Sequence, residues 1–309
     1  MINKVSLYLI IILLSITCKA QSIQQKAILD KQSFFNEKAL LQHVETLSSN
    51  SFKGRRTGTE GARKAKQYII NQFHLLNVEP LGIKYEQSFS FTNRGKTYNA
   101  VNVLGHIKGT TLPNKYIVIS AHYDHLGIKN GKIYNGADDD ASGISALFSF
   151  AEYFKKHPPK HSIILAAFDA EEFGLRGSKH FVNHSIVSLQ NIEANLNMDM
   201  ISRSDKSELF VTGTQNDQSL KHIVLSSEAS EKVKLIMGHD GSDKKQNWTY
   251  SSDHGSFYTK NIPFLYFGVE DHNDYHQPTD DFDKINKEFY IEVVKTIISV
   301  FVTMDEYLK

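Results

Sequence analysis

Five short runs limit what this chain can fold into: KYIVISA (115–121), HSIILAAF (161–168), EANLNM (193–198), ELFVTG (208–213) and IPFLYFG (262–268). Most are apolar at consecutive rather than alternate positions, so a strand built from them must be covered on both faces. Helical patterns separate them, one from about Ala141 to Lys156, stopped by Pro158 and Pro159, and one near 177–184. Strands alternating with helices predict an α/β fold: a three-layer sandwich whose mixed, mainly parallel central sheet carries helices on both faces. With 309 residues, 40% of them apolar, the chain can bury a full-sized core.

The region before the first of these runs reads differently. A helix is expected from about Glu37 to Leu47. A second, from Thr57 to Leu76, places Ala62, Ala65, Ile69, Phe73 and Leu76 on one face, with Thr57 and Glu60 as a capping box. IKYEQSFSF and KTYNAVNVLGHIKG flank Asn93-Arg94-Gly95 as an antiparallel hairpin. The longest candidate loop runs from about Ser230 to Ser252 and contains Trp248 and Tyr250. Long loops on such scaffolds tend to carry function.

Residues 1–20 read as a signal peptide. Asn3-Lys4 precede an apolar run from Val5 to Ile16, and small residues around Ala20 offer a cleavage point. That run is shorter than the roughly 20 residues a membrane-spanning helix needs. An uncleaved anchor and a lipoprotein acylated at Cys18 are the alternatives. Residues 21–33 form a polar leader and 34–309 a single catalytic domain, exported to the periplasm or beyond. Cys18 is the one cysteine, so the mature chain lacks disulfides and relies on its core or on bound metal. Removing Lys4 and Lys19 leaves 33 basic against 34 acidic residues, a net charge of −1. With no basic tract, nucleic acid is excluded as a partner.

The chemistry gathers where the apolar runs end. KYIVISA leads into His122-Tyr-Asp124-His125, HSIILAAF into Asp169-Ala-Glu171-Glu172, and EANLNM into Asp199. In open α/β sheets ligands bind at the carboxyl ends of strands, so these groups converge on one rim. GADDDASG (136–143) adds three adjacent carboxylates, which repel one another unless a positive partner lies among them. Mixed imidazole and carboxylate donors without thiolate suit a catalytic zinc site. A carboxylate bridging two divalent ions roughly 3.5–4 Å apart supplies the missing charge. At least one other aspartate of the triplet is expected to cap the following helix.

His122-x-Asp124, GADDDASG, FDAEEFGLRGS, NMDM and YHQPTDD, in that order, resemble the secreted dinuclear-zinc aminopeptidases of metallopeptidase clan MH. Glutamate carboxypeptidases and glutaminyl cyclases are relatives of that family. The likeness runs from FKGRRTGTEGARKA to the C-terminal helix. It implies two Zn2+ ions, or other divalent metals: one held by His122 and Asp199, the second by Glu172 and His276, with Asp139 bridging both. It further implies Glu171 as general base, Asp124 as the carboxylate that fixes the His122 ring, and Tyr275 as a hydroxyl aimed at the developing oxyanion. The implied reaction removes the N-terminal residue from peptides or small proteins, with the chain acting as a monomer and not spanning a membrane.

Other features read as structural. Lys53, Arg55 and Arg56 are expected in a solvated turn and helix-docking segment. His125, His239, His254 and His272 are surplus to the ligand set, and Asp253-His254 opens a short helix ending before Pro263. Trp248 and Tyr250 are candidates for a pocket that accepts an apolar side chain. Arg176 and Arg203 are the only arginines available to clamp a terminal carboxylate in the catalytic half. The competing functions are a mononuclear glutaminyl-cyclase-like acyltransferase, a carboxypeptidase of the same fold, and a non-catalytic receptor-like domain.

Overall fold

The structure is a computed structural model that describes residues 34–309 except Asn216. The signal peptide, Cys18 and the polar leader lie outside the described residues. In chain order the helices are α1 (Glu37–Leu47), α2 (Glu60–Leu75), α3 (Gly143–Lys156), α4 (Arg176–Asn183), α5 (Gln218–Ser226), α6 (His254–Tyr258) and α7 (Lys287–Tyr307). The strands are β1 (Glu79–Pro80), β2 (Glu86–Asn93), β3 (Lys96–Ile107), β4 (Leu112–His122), β5 (Gly127–Lys129), β6 (Lys132–Tyr134), β7 (His161–Phe168), β8 (Ile192–Met198), β9 (Glu208–Thr212), β10 (Lys234–Met237) and β11 (Phe264–Gly268).

Nine strands form one sheet in the order β1-β3-β7-β4-β8-β11-β9-β10, with β2 paired to β3 as the expected hairpin. The middle four, β7, β4, β8 and β11, run parallel, while β3 and β9 are antiparallel to their inner neighbours. Side chains alternate between faces along each strand. Ile117, Ile119 and Ala121 of β4 join the core under α1, α2, α3 and α7, whereas Val118 faces the core under α4 and α6. The central strands are therefore buried on both sides, as continuous apolar runs predict, although β8 turns Asn195 and Asn197 to one of its faces.

The register sets the site. His122 pairs with Phe168 and Ser120 with Asn197, so β7, β4 and β8 reach the same rim at their carboxyl ends. Beneath it a buried polar ladder fixes the strands: Ser120 Oγ donates to Asn197 Oδ1 at 2.6 Å, and Asn195 Nδ2 donates to Ser120 Oγ at 2.9 Å.

Three local expectations are corrected. The capping box at Thr57 does not form: α2 starts behind Thr59, which makes no side-chain cap bond, while Thr57 is buried against Asp124 and Asp169. Glu60 instead pairs with Lys53 at 2.5 Å. The helix assigned to Ala141 begins at Gly143, after an irregular turn over 137–142, and Asp140 Oδ1 caps it by accepting from Gly143 N at 2.8 Å. The long polar segment 230–252 is not all loop, because β10 pairs parallel with β9 inside it. Among the described residues no helix is long and apolar enough to cross a membrane.

Candidate metal centre

The last residue of β4, His122, is placed by its own backbone, whose N–H donates to Asp140 Oδ2 at 3.1 Å. Its ring Nδ1 lies 3.1 Å from the backbone carbonyl of Asp124, and the Asp124 carboxylate stands off at 3.7 Å. The ring is therefore oriented by the main chain of Asp124 more closely than by its carboxylate. His122 Nε2 lies 3.2 Å from Asp139 Oδ1 and 3.4 Å from Asp199 Oδ1. The other oxygen, Asp139 Oδ2, lies 3.1 Å from His276 Nε2, which is in turn 3.4 Å from Glu172 Oε1. Asp139 thus faces one histidine–carboxylate pair with each oxygen. Glu172 Oε1 is buried and accepts no hydrogen bond. An orphaned carboxylate oxygen between imidazole nitrogens fits a cation, and these O and N donors fit zinc.

The electrostatics follow the same division. Burial opposes ionisation of Asp139, but the His125, His122 and His276 rings outweigh it and hold its carboxyl well below the usual range. Burial likewise opposes ionisation of Glu172, and the His125 and His276 rings hold it at about 2. Glu171 goes the other way: burial pushes its carboxyl well up, and the charges of Asp199, Asp253 and Glu172 add to this against the lowering influence of His122.

The support around this cluster contains what sequence reasoning missed. Asp280 accepts from the backbone N–H of Asp138 at 3.0 Å and of Asp139 at 3.1 Å, one with each oxygen. The YHQPTDD segment therefore supplies both His276 and the clamp on the aspartate turn. Arg55, expected in a solvated turn, has no solvent exposure. Its guanidinium donates to the carbonyls of Tyr123, Leu47, Asn135, Gly136 and Asp139. Arg56 instead lies over the Phe173 ring at 4.8 Å. Thr57 Oγ1 bridges Asp124 Oδ2 at 3.1 Å and Asp169 Oδ1 at 2.8 Å, and Asp124 Oδ1 accepts from Glu171 N at 2.9 Å.

A cavity of about 370 Å³ opens onto the cluster. Its lining includes Glu171, Asp199, Asp271, Trp248, Tyr266 and Tyr275 and, among the described residues, no lysine or arginine. Trp248 is stacked on His239 with ring centroids 3.5 Å apart, and His254 Nε2 meets the Trp248 carbonyl at 2.8 Å. These two surplus histidines brace the cavity wall, and His272 binds Asp138 Oδ2 at 3.0 Å. Tyr250 does not belong to the wall: it is 60% exposed and sets its ring against Tyr258 at 5.6 Å. The Tyr275 ring stacks on His276 at 4.0 Å. Arg203 is spent on Asp274 at 2.5 Å, and Arg176 points its Nε at the Phe173 carbonyl.

Residues 102–301, which span the aspartate turn, both glutamates and His276, match the sequence profile of peptidase family M28. The chain belongs to peptidase family M28. Within it, Aminopeptidase YwaD of Bacillus subtilis is 34% identical over 209 residues, which are 64% of this chain and 42% of that protein. The chain spans less than half the length of the curated relatives it matches. The fold is shared with BSAP, a zinc aminopeptidase from Bacillus subtilis, at a TM-score of 0.69 and 18% identity, covering 86% of this chain and 95% of that one. A glutaminyl cyclase from Bacteroides thetaiotaomicron has the same M28-like fold at a TM-score of 0.70 and 18% identity, over 86% and 97% of the two chains.

Proposed function

We propose that this M28 chain is a zinc-dependent aminopeptidase. The observation that carries the reading is the cavity: carboxylates line it, and none of its lining residues is a lysine or arginine. Such a pocket favours a protonated α-amine and offers no lysine or arginine to clamp a terminal carboxylate. The two arginines available for a carboxypeptidase clamp are engaged elsewhere.

His122 and Asp199 would hold one ion, Glu172 and His276 a second, and Asp139 both. When bound, the pair lowers the pKa of a water and polarises the scissile carbonyl. Glu171 takes the proton of the attacking water and returns it to the leaving amine. Asp124 fixes the start of the Glu171 turn by accepting its backbone N–H. Tyr275, beside His276, donates its hydroxyl to the oxygen that becomes negative. Trp248 forms a rigid apolar wall that favours an apolar first residue.

A matched set of peptides tests the direction of attack: one starting with Leu, its N-acetylated form and its C-amidated form. Acetylation should abolish cleavage and amidation should leave it nearly unchanged. The opposite pattern would overturn the reading. A peptide starting with Gln separates hydrolysis from cyclisation, since only cyclisation releases ammonia while keeping the peptide length.

A further inference from the structure

His125 has no solvent exposure, and neither of its ring nitrogens has a hydrogen-bond partner. Leaving a buried polar atom unpaired costs about 1–3 kcal/mol, so a ring with both nitrogens idle requires another partner. Its Nδ1 lies 2.9 Å from Glu172 Oε1 and 3.6 Å from Asp139 Oδ2. His276 Nε2 approaches the same two oxygens at 3.4 and 3.1 Å. Ligand atoms at about 2.0–2.1 Å from a tetrahedral zinc are about 3.3 Å from one another. The four measured separations scatter around that edge length. Despite its closeness, Nδ1 is not aligned on Glu172 Oε1 as a hydrogen-bond donor, and Glu172 Oε1 is itself unpaired. One cation between them satisfies both atoms.

The backbone reserves this place for the ring. Gly136 has φ +59°, and a Cβ there would lie 2.6 Å from His125 Cδ2 and 2.0 Å from the Asp139 carbonyl. Arg55 Nη2 holds the Gly136 carbonyl at 2.8 Å, so the turn does not yield.

We infer that His125 is a fourth protein ligand at the metal position formed by Asp139, Glu172 and His276. The inference rests on the dinuclear reading and adds an asymmetry to it. That position would have four protein donors, whereas His122, Asp139 and Asp199 would give the other three. The position with four protein donors would fill first and hold its ion more tightly than the one with three.

Zinc X-ray absorption on the full-length protein loaded with one equivalent of zinc tests this directly. The wild type should show about two imidazoles around the ion, and His125→Asn about one. Competition with a chelator should show the first zinc bound more than about 100-fold more weakly in His125→Asn, beyond the usual effect of a residue that only supports a ligand. His125→Gln serves as a second variant, and thermal melting with zinc present reports whether each variant is folded. One imidazole in the wild type, or zinc affinity restored by Asn as a hydrogen-bond donor to Glu172, would overturn the assignment. Zinc content of the active protein at saturation reads the dinuclear proposal separately. A single ion carrying two imidazoles would refute two-metal catalysis and still uphold His125 as a ligand.

Discussion

Arg55 lies beneath Asp139, donating from Nη2 to its backbone carbonyl at 3.4 Å and to the Gly136 carbonyl at 2.8 Å. Nε and Nη1 reach Tyr123, Leu47 and Asn135 at 2.9, 2.8 and 2.5 Å. A single buried cation thus ties the end of α1, the turn after β4 and the aspartate turn together. Burial tends to neutralise it, and the charges of Asp139, Asp280, Asp140 and Asp124 oppose that tendency.

Arg55→Lys is therefore expected to be severe although it keeps the charge. An ammonium has three donors on one atom and cannot span carbonyls arranged around a planar fork. At least two carbonyls lose their donor, at about 1–3 kcal/mol each. Urea unfolding should show a loss on the order of 3 kcal/mol, and zinc titration a weaker site. Unchanged stability and zinc affinity would mean that the five bonds are dispensable.

Glu171→Gln should retain its metals and fold while kcat drops by about 10²-fold or more, the scale for loss of a general base. Asp139→Ala should instead lose metal, because the group that faces both donor pairs is gone. Metal analysis beside steady-state kinetics separates the two effects. Near-normal turnover of Glu171→Gln with metals bound would assign the base elsewhere.

The parallel strands and the groups at their ends were legible because each lies within one contiguous stretch: an apolar run, then His122, Glu171-Glu172 or Asp199. Asp253-His254 was legible for the same reason, and α6 begins there and ends before Pro263. Arg55 was not, because its acceptors come from Leu47, 8 positions away, to Asp139, 84 positions away, and only the folded chain gathers them. Thr57 looked like a cap because Thr and Glu three apart fit that pattern, yet its hydroxyl does more between two buried carboxylates. β10 was hidden in a polar segment because an outermost strand, half in solvent, carries no continuous apolar run. His125 looked structural because motif order left no role for it, whereas its idle nitrogens are visible only in three dimensions.

Tyr275→Phe is expected to keep the ring stacked on His276 at 4.0 Å and to remove only the hydroxyl. If that hydroxyl meets the developing oxyanion, kcat falls by about 10²-fold with KM and metal content unchanged, as for loss of one such donor. An unchanged kcat would leave the tyrosine as a wall residue.

Stability should fall on the acid side through histidines that burial keeps neutral. Burial lowers His43 from its ordinary 6.5 to about 4, where its ring packs edge-on against Phe148 at 4.8 Å and Nδ1 meets the Tyr68 hydroxyl at 2.7 Å. Burial also takes His254 to about 3, against a smaller opposing effect of the Trp248 carbonyl. As pH drops below 6.5 the unfolded chain takes up protons that the folded chain refuses, so the unfolded state binds more protons and stability declines with falling pH. The contribution of His43 is intact above 6.5 and lost between 6.5 and about 4, at about 1.4 kcal/mol per pH unit. Asp169 and Asp253, which burial pushes up to about 7, act in the opposite direction over the same range, so the bare profile mixes the two. His43→Phe isolates the ring: it preserves the aromatic packing and removes the proton site. Urea unfolding at pH 7 should find the variant no more stable than the wild type, since it loses the Tyr68 bond. Between pH 6.5 and 4 the difference should move toward the variant by about 3 kcal/mol. A difference that stays constant over that range would mean that His43 is not held neutral by the fold.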